Sequence, residues 1–455
     1  MTTVAGKPAL GSIAARLERL PHSRWHVKVR FLIGAVTFFE AFDQLLAASA
    51  LPVLMKEWHL STGQATFAVT SASIGMLLGA LAAGWLGDRI GRVRTVALGV
   101  VITGLASLAV AFSGTIEMFS LFRFLQGLGI GGVVPVAATY INEIARSDKR
   151  GRFVLLYEMI FPAGLAAATL LAVWVVPTFG WRAMFLVGAL PVVIGAMLPR
   201  HVEESPRWLL SRGRTAEAEA AIARIEAEVA RATAEELPAP APSADPPNEP
   251  KGTLMDLFRG RYLRRTAVLS GLWFVAYYVN HGISTWLPSL YTKEFGLDLT
   301  TALVYTLLSN VTGLLGTFVV AMLIDRIGRR PALIGAFVGT VLSLAVLALA
   351  GATSGGQVAI FASCTTFFLY AVNAGLYLYS PELYPTFNRA KGAAFGGLWN
   401  RLGVILGPVA VGAVIGAGGG LSLVFAQLAV VGAVGAVIAW FAVETKGRTL
   451  EELNA

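Results

Sequence analysis

The stretch Gly84–Arg94, GWLGDRIGRVR, has a close relative at Met322–Arg330, MLIDRIGRR. Each follows an apolar run long enough to cross a bilayer and precedes another. Each holds an Asp, two or more arginines and a helix-breaking Gly, in a loop too short to be a domain. Asp88 and Asp325 stand 237 positions apart, about half of the 455-residue chain. Two further landmarks keep nearly that offset. Glu143 and Arg150 in YINEIARSDKRG return 239 positions later as Glu382 and Arg389 in YSPELYPTFNRAKG. VEESPRW at 202–208 is matched more loosely by VETKGR at 443–448. Three landmarks repeated in order read as one unit duplicated.

Composition says what kind of unit this is. Hydrophobic residues make up 56% of the chain, charged residues only 14%, and the mean hydropathy is +0.67. A soluble protein keeps about a quarter of its residues charged. Twelve apolar runs are candidate spans, near 31–54, 66–87, 95–113, 118–141, 153–177, 183–199, 266–288, 301–324, 331–350, 357–379, 391–416 and 421–442. With an amino terminus in the cytoplasm, 31 of the 36 Lys and Arg fall on the cytoplasmic side. Lys56, Arg182 and Lys293 fall outside, and Arg123 and Arg401 lie within spans. The net charge of +9 is therefore a topology signal rather than a nucleic-acid footprint.

The expected layout is a cytoplasmic amino-terminal segment (1–30), a six-helix bundle (31–199), a cytoplasmic linker (200–265), a second six-helix bundle (266–442) and a cytoplasmic tail (443–455). Ile13–Leu20 is amphipathic and is expected to lie on the membrane surface. Thr215–Ala234 reads as helix and LPAPAPSADPPNEP at 237–250 as extended linker. Cys364 is the only cysteine, which excludes a disulfide or a cysteine-based metal site within one chain. GLGIGG at 127–132 lies inside an apolar run, where helix packing explains it better than dinucleotide binding. No phosphate-binding loop, nucleophile–base pair or metal-ligand cluster stands in frame. The sequence therefore points to no enzyme chemistry and no cofactor.

These residues resemble the major facilitator superfamily over essentially the whole chain. GWLGDRIGRVR is similar to its signature loop between the second and third helices, and MLIDRIGRR to the echo between the eighth and ninth. RFLQGLGIGG (123–132), ESPRWLLSRGR (204–214), PELYP (381–385) and ETKGRTLEEL (444–453) resemble its sugar-porter and metabolite–proton symporter branches. The resemblance implies twelve transmembrane helices in two pseudo-symmetric six-helix bundles. Substrate lies between them near mid-membrane, and the bundles rock to expose it to either side. The seventh run, WFVAYYVNHGISTWLPSLY (273–291), lacks the paired glutamines of sugar porters. FFEAFDQLL (38–46) resembles the acidic first helix of aromatic-acid–proton symporters, with Glu40 where an Asp is usual. Arg401 in WNRLGVILGP (399–408) occupies the place of an eleventh-helix arginine of organic-anion transporters.

Arg401 would lie about 15 Å into its span, near the midplane, where a guanidinium costs at least ~2.5 kcal/mol unless it faces a cavity or a carboxylate. Its planar fork suits a substrate carboxylate; the alternative is an ion pair between the bundles or with an acidic residue of this protein. Asp43 and Glu40, at i and i+3, are expected on one helix face, where two carboxylates resist double ionisation and one holds a proton for coupling. The alternative is a carboxylate paired permanently with a neighbouring span. Tyr277, Tyr278, Asn280 and His281 form a polar cluster in the seventh span, and Tyr370, Asn373 and Tyr377 recur in the tenth. Both groups are candidates for lining the cavity, with helix packing the alternative. Glu158 could pair with Arg152, and Arg123 could serve gating or packing. Asp88, Arg89, Arg92, Asp325, Arg326 and Arg329, with Glu143, Arg150, Glu382 and Arg389, are expected to form charge contacts that latch one access state across the bundle seam.

The function expected is uptake of a small organic acid, aromatic carboxylates included, by proton symport in a bacterial inner membrane. Proton-antiport efflux and sugar or polyol symport are the alternatives within transport, and a transport-derived sensor is the alternative outside it.

Overall fold

The computed structural model describes residues 10–21, 23–144, 160–233, 237–239 and 253–447, and among them there is no strand. Among the described residues eleven helical stretches are long and apolar enough to cross a membrane. In the first half they are span 1 (Arg24–Glu57), span 2 (Thr62–Ile90), span 3 (Arg92–Ala111), span 4 (Ile116–Ile144), span 5 (Ile160–Phe179) and span 6 (Trp181–His201, interrupted just before Pro191). In the second half they are span 8 (Leu299–Ile327), span 9 (Arg329–Leu349), span 10 (Gly355–Glu382), span 11 (Thr386–Gly416) and span 12 (Leu421–Trp440). Span 7 (Gly260–Glu294) completes the twelve; its 35 residues are long enough but diluted by Tyr277, Tyr278, Asn280 and His281. It packs against spans 1, 10, 11 and 12, so helices rather than lipid surround it and its polar groups are tolerated.

Each half closes on itself by matching pairs: span 2 on span 4 as span 8 on span 10, and span 1 on span 5 as span 7 on span 11. Small residues permit this. A Cβ at Gly127 or Gly131 of span 4 would meet the Ala72 or Met76 carbonyl of span 2, so the GLGIGG run is a backbone contact between helices. The halves meet along a seam made by spans 1 and 7, 2 and 11, and 5 and 8.

The two DRIGR loops are built alike. Gly91 (φ 107°) and Gly328 (φ 99°) occupy backbone that favours glycine, and each turns the chain straight into the next span. Glu204 accepts the Arg92 and Val93 amides at 2.9 and 3.1 Å; Glu444 accepts the Arg329 and Arg330 amides at 3.0 Å each. Both carboxylates thus cap a helix N-terminus, where donors and dipole favour negative charge. Arg92 bridges Asp88 (2.8 Å) and Glu143 (3.5 Å), as Arg329 bridges Asp325 (2.8 Å) and Glu382 (2.9 Å). Arg89 lies over the Trp85 ring, and the Arg326 carbonyl accepts from Lys446. Every one of these partners belongs to the same half. The contact expected across the seam is not among the described residues, because the capping glutamate follows the last span of its own bundle and reaches the loop from there. Arg150, Arg152 and Glu158 lie outside the described residues, as does the side chain of Arg389.

The amphipathic start also departs from expectation. Helix Leu10–Glu18 does not lie with its apolar face on lipid: Ile13, Leu17 and Leu20 are buried with Ile222, Ile225 and Val229 of helix Thr215–Thr233. Arg16 and Arg19 clamp Glu226 at 2.5 and 2.7 Å. An apolar stripe takes whatever apolar partner is nearest, and the linker helix supplies one. Of the proline-rich stretch at 237–250, all but 237–239 lies outside the described residues.

Candidate substrate and proton site

Two charged centres sit inside the membrane-spanning region, and both begin on span 1. Asp43 is 3% exposed and faces span 4. Arg123, also 3% exposed, donates to its Oδ2 at 3.1 Å and to Gln126 Oε1 at 2.7 Å, while Gln126 Nε2 closes the ring by donating to Asp43 Oδ1. Arg123 and Gln126 stand at i and i+3, one helix face. The Arg123 guanidinium also lies 5.9 Å from the Phe185 ring, with apolar wall on that side. A buried pair of this kind is costly to break: removing one partner leaves an uncompensated charge worth about 3–5 kcal/mol.

Glu40 lies one turn earlier and takes a different partner. Its Oε1 is 3.8 Å from Arg401 Nη2 of span 11, across the seam. The i, i+3 relation rotates the two side chains by about 60°, enough for Asp43 to face span 4 while Glu40 faces the other bundle. The expected site where both carboxylates share a proton is therefore replaced by two separate ion pairs. One lies within a bundle and one bridges the two.

Arg401 owes its direction to glycines. Gly403 and Gly407 let span 11 lie directly on the backbone of Phe274 and Tyr278 in span 7. Arg401, two residues before Gly403 and so roughly on the opposite face, is turned toward the first bundle. There it meets Glu40 and, at 4.0 Å, the Met76 sulfur of span 2. Its side chain keeps 16% exposure against 3% for Glu40, and 3.8 Å is long for a charge-assisted hydrogen bond. The pair is in contact but not closed.

The aromatic candidates gather on the second bundle. Tyr277 stacks on His281 with centroids 5.8 Å apart and planes 17° off parallel. Trp273 continues the run, 5.5 Å from Tyr277 and 4.9 Å edge-on from Tyr377. His281 is within electrostatic reach of Arg401. The Tyr278 hydroxyl accepts from Gln427 of span 12 at 3.0 Å, which ties it to its own bundle. Asn280 is buried. Asn373 Oδ1 and Trp399 Nε1 are buried with no hydrogen-bond partner among the described residues. Tyr370 is drawn elsewhere: its hydroxyl donates to Asn310 Oδ1 (3.1 Å), whose Nδ2 donates to Thr169 Oγ1 (2.8 Å) across the seam of spans 5 and 8. Tyr370 is thus part of a neutral bridge between bundles.

Gln126 and Asn310 escaped the sequence reading. RFLQ offered a signal for the first, since i, i+3 spacing puts its amide beside Arg123. Nothing in SNVTG marks Asn310 as a seam residue.

Residues 29–455 match the family described as sugar (and other) transporter. The chain belongs to this family. It is a transporter of the major facilitator superfamily, an integral membrane protein and not an enzyme. Among its relatives is the niacin transporter NiaP of Acinetobacter baylyi, 33% identical over 443 residues, which cover 97% of this chain and 99% of that protein. The 4-hydroxybenzoate transporter PcaK of the same organism is 24% identical over 93% of this chain and 92% of its own. Among solved structures, the proton:xylose symporter XylE from E. coli superposes with a TM-score of 0.70 at 20% identity, covering 95% of this chain and 98% of that one. The twelve-helix fold is the same.

Proposed function

We propose that this protein takes up a small aromatic carboxylate by proton symport. The observation that carries the reading is the loose Glu40–Arg401 pair in the seam, with a guanidinium turned toward the other bundle and an aromatic run beside it. A substrate carboxylate offers Arg401 two oxygens in its plane and displaces the single long contact with Glu40. The ring of the substrate lies against Tyr277, Trp273 and Tyr377, and Asn373 Oδ1 and Trp399 Nε1 offer unused hydrogen-bonding capacity for a ring nitrogen or hydroxyl. The carboxylate so held takes the place of a contact that bridges the two bundles, which is what a carrier needs if loading is to permit rocking. Relatives named for niacin and 4-hydroxybenzoate support an aromatic acid as cargo.

Asp43 is the proton site in this reading. Ionised, it holds Arg123 and Gln126 of span 4 and keeps span 1 fixed; protonated, it releases the guanidinium and lets the two spans move relative to each other. Membrane vesicles of right-side-out orientation test both roles. An inward proton gradient drives accumulation of labelled nicotinate or 4-hydroxybenzoate. Asp43→Asn loses accumulation and keeps exchange of internal for external substrate. Gradient-driven extrusion, or accumulation unchanged in Asp43→Asn, contradicts symport through this residue. In this reading the arginine-rich face, with both termini, lies in the cytoplasm of a bacterial inner membrane, as the charge bias favours, and the carrier acts as a monomer.

A further inference from the structure

At the arginine-rich end of spans 7, 9 and 12 an open cavity of about 740 Å³ is lined by Arg261, Arg264, Arg265, Arg330, Trp440 and Phe441, among others. Among the described residues no carboxylate lines it. The nearest acidic neighbour in sequence, Glu444, is committed to the backbone amides of Arg329, Arg330, Thr445 and Lys446. Aromatic rings back two of the guanidinium groups: Arg330 lies 5.3 Å from the Trp440 centroid and Arg264 6.0 Å from that of Phe441. Arg265 is fixed through a 2.9 Å hydrogen bond to the Leu383 carbonyl. Trp440 and Phe441 are 60% and 50% exposed at the end of a span, the depth at which aromatic side chains meet the headgroup layer. Leu263 and Val437 continue the apolar surface beside them, both more than half exposed. None of the lining residues belongs to spans 1, 2, 5, 8 or 11, so the cavity lies apart from most of the seam.

Retention of positive charge on one face explains arginines in general, but that bias needs only charge near the membrane and not four side chains around one cavity. Four guanidinium groups at headgroup depth, with apolar surface on the lipid side, fit an amphiphile with a phosphate at its polar end. We propose that this cavity binds the headgroup of an anionic phospholipid. The phosphate takes paired N–H donors from Arg264 and Arg330, while Arg261 and Arg265 add to the field. The acyl chains then run along Trp440, Val437 and Leu263. Bound there, the lipid ties the starts of spans 7 and 9 to the end of span 12.

Native mass spectrometry of the full chain, released from detergent with added lipid, tests this. Phosphatidylglycerol stays bound at one or a few copies where phosphatidylcholine does not. Arg264→Gln with Arg330→Gln weakens binding about thirtyfold, and the Lys/Lys pair, which keeps the charge but not the paired donors, falls between the Gln pair and wild type. Arg212→Gln with Arg231→Gln removes the same charge from exposed linker positions and leaves binding unchanged. Equal losses in the two Gln pairs overturn the proposal in favour of diffuse attraction. Equal retention of phosphatidylcholine overturns it too, as does displacement of the lipid by equimolar inorganic phosphate, which makes this a free-anion site. If the Gln pair does not fold, the lipid comparison on wild type and the Lys pair decides.

Discussion

The two halves of this carrier are copies at their edge and strangers at their centre. Gly91, Asp88, Arg92, Glu143 and Glu204 have counterparts in Gly328, Asp325, Arg329, Glu382 and Glu444 with equivalent partners, the Arg92–Glu143 contact at 3.5 Å being looser than its 2.9 Å counterpart. The buried middle shows no such agreement. Spans 1 and 7 end 237 positions apart, at Glu57 and Glu294, so Asp43 faces Asn280 and Glu40 faces Tyr277 in the duplicated register. Spans 5 and 11 end at Phe179 and Gly416, the same offset, which sets Arg401 opposite Gly164. Through the 239-residue offset of Glu143 and Glu382, Arg123 and Gln126 meet Ala362 and Thr365. One half keeps a carboxylate, a guanidinium and an amide where the other has Asn, Ala and Thr. One half has a bare glycine, packed on the Phe38 carbonyl, where the other has the arginine that reaches the seam. Duplication supplied two like frames; divergence put the proposed proton pair in one and the proposed anion-binding group in the other.

That contrast sets the order of expected effects. The largest belongs to the asymmetric centre: Arg401→Gln lowers uptake efficiency about a hundredfold, the loss of a charge-assisted hydrogen bond at about 3 kcal/mol, measured as initial rates in vesicles. Gly164→Arg, which writes the second half's residue into the first, fails to restore it, since the position is closed by span 1. Of the same order is Asp43→Ala, which strands Arg123 in an apolar wall and destabilises the chain by about 3–5 kcal/mol, read by thermal unfolding in lipid nanodiscs. Asp43→Asn paired with Arg123→Gln recovers most of that stability and none of the coupling. Recovery of coupling would mean that the proton travels elsewhere.

The symmetric edge makes a different demand, namely matched losses. Glu204→Gln and Glu444→Gln each weaken a helix cap by about 1 kcal/mol; a loss in one half several times that in the other breaks the claim that the loops are equivalent. The smallest effect is in pH. Burial pulls Glu444 upward, but four backbone N–H donors outweigh it and hold its carboxyl below the ordinary value. A depressed folded value contributes stability that is complete above the unfolded value of about 4.3 and is lost as pH falls through the folded one. Thermal stability therefore drops in a step below about pH 4.3, and Glu444→Gln flattens part of that step.

What could be read from the sequence follows the same division. The duplication, the twelve spans and the loop charges were legible because each is local: a few residues in a row, repeated at one offset. Glycine placement in GLGIGG was legible for the same reason. The partner of Asp43 was not, since Arg123 lies 80 positions away and which face of span 1 meets span 4 depends on packing. Glu40 and Asp43 were expected together because i, i+3 spacing describes one helix and says nothing of the two neighbours competing for its sides. Asn310 was invisible, since an amide in an apolar helix carries no mark of the seam it bridges. The amphipathic start reads as a membrane-surface helix because the stripe gives apolarity and not the identity of what covers it.

The measurement closest to the central claim compares an acid with its amide. Thermal stabilisation of the purified carrier in nanodiscs is recorded against rising nicotinate and nicotinamide, for wild type and Arg401→Gln, since stabilisation grows with ligand concentration over its dissociation constant. If Arg401 receives the carboxylate, nicotinate stabilises wild type, nicotinamide does so far less, and the variant no longer tells them apart. Equal stabilisation of wild type by acid and amide, or discrimination retained in Arg401→Gln, contradicts the assignment.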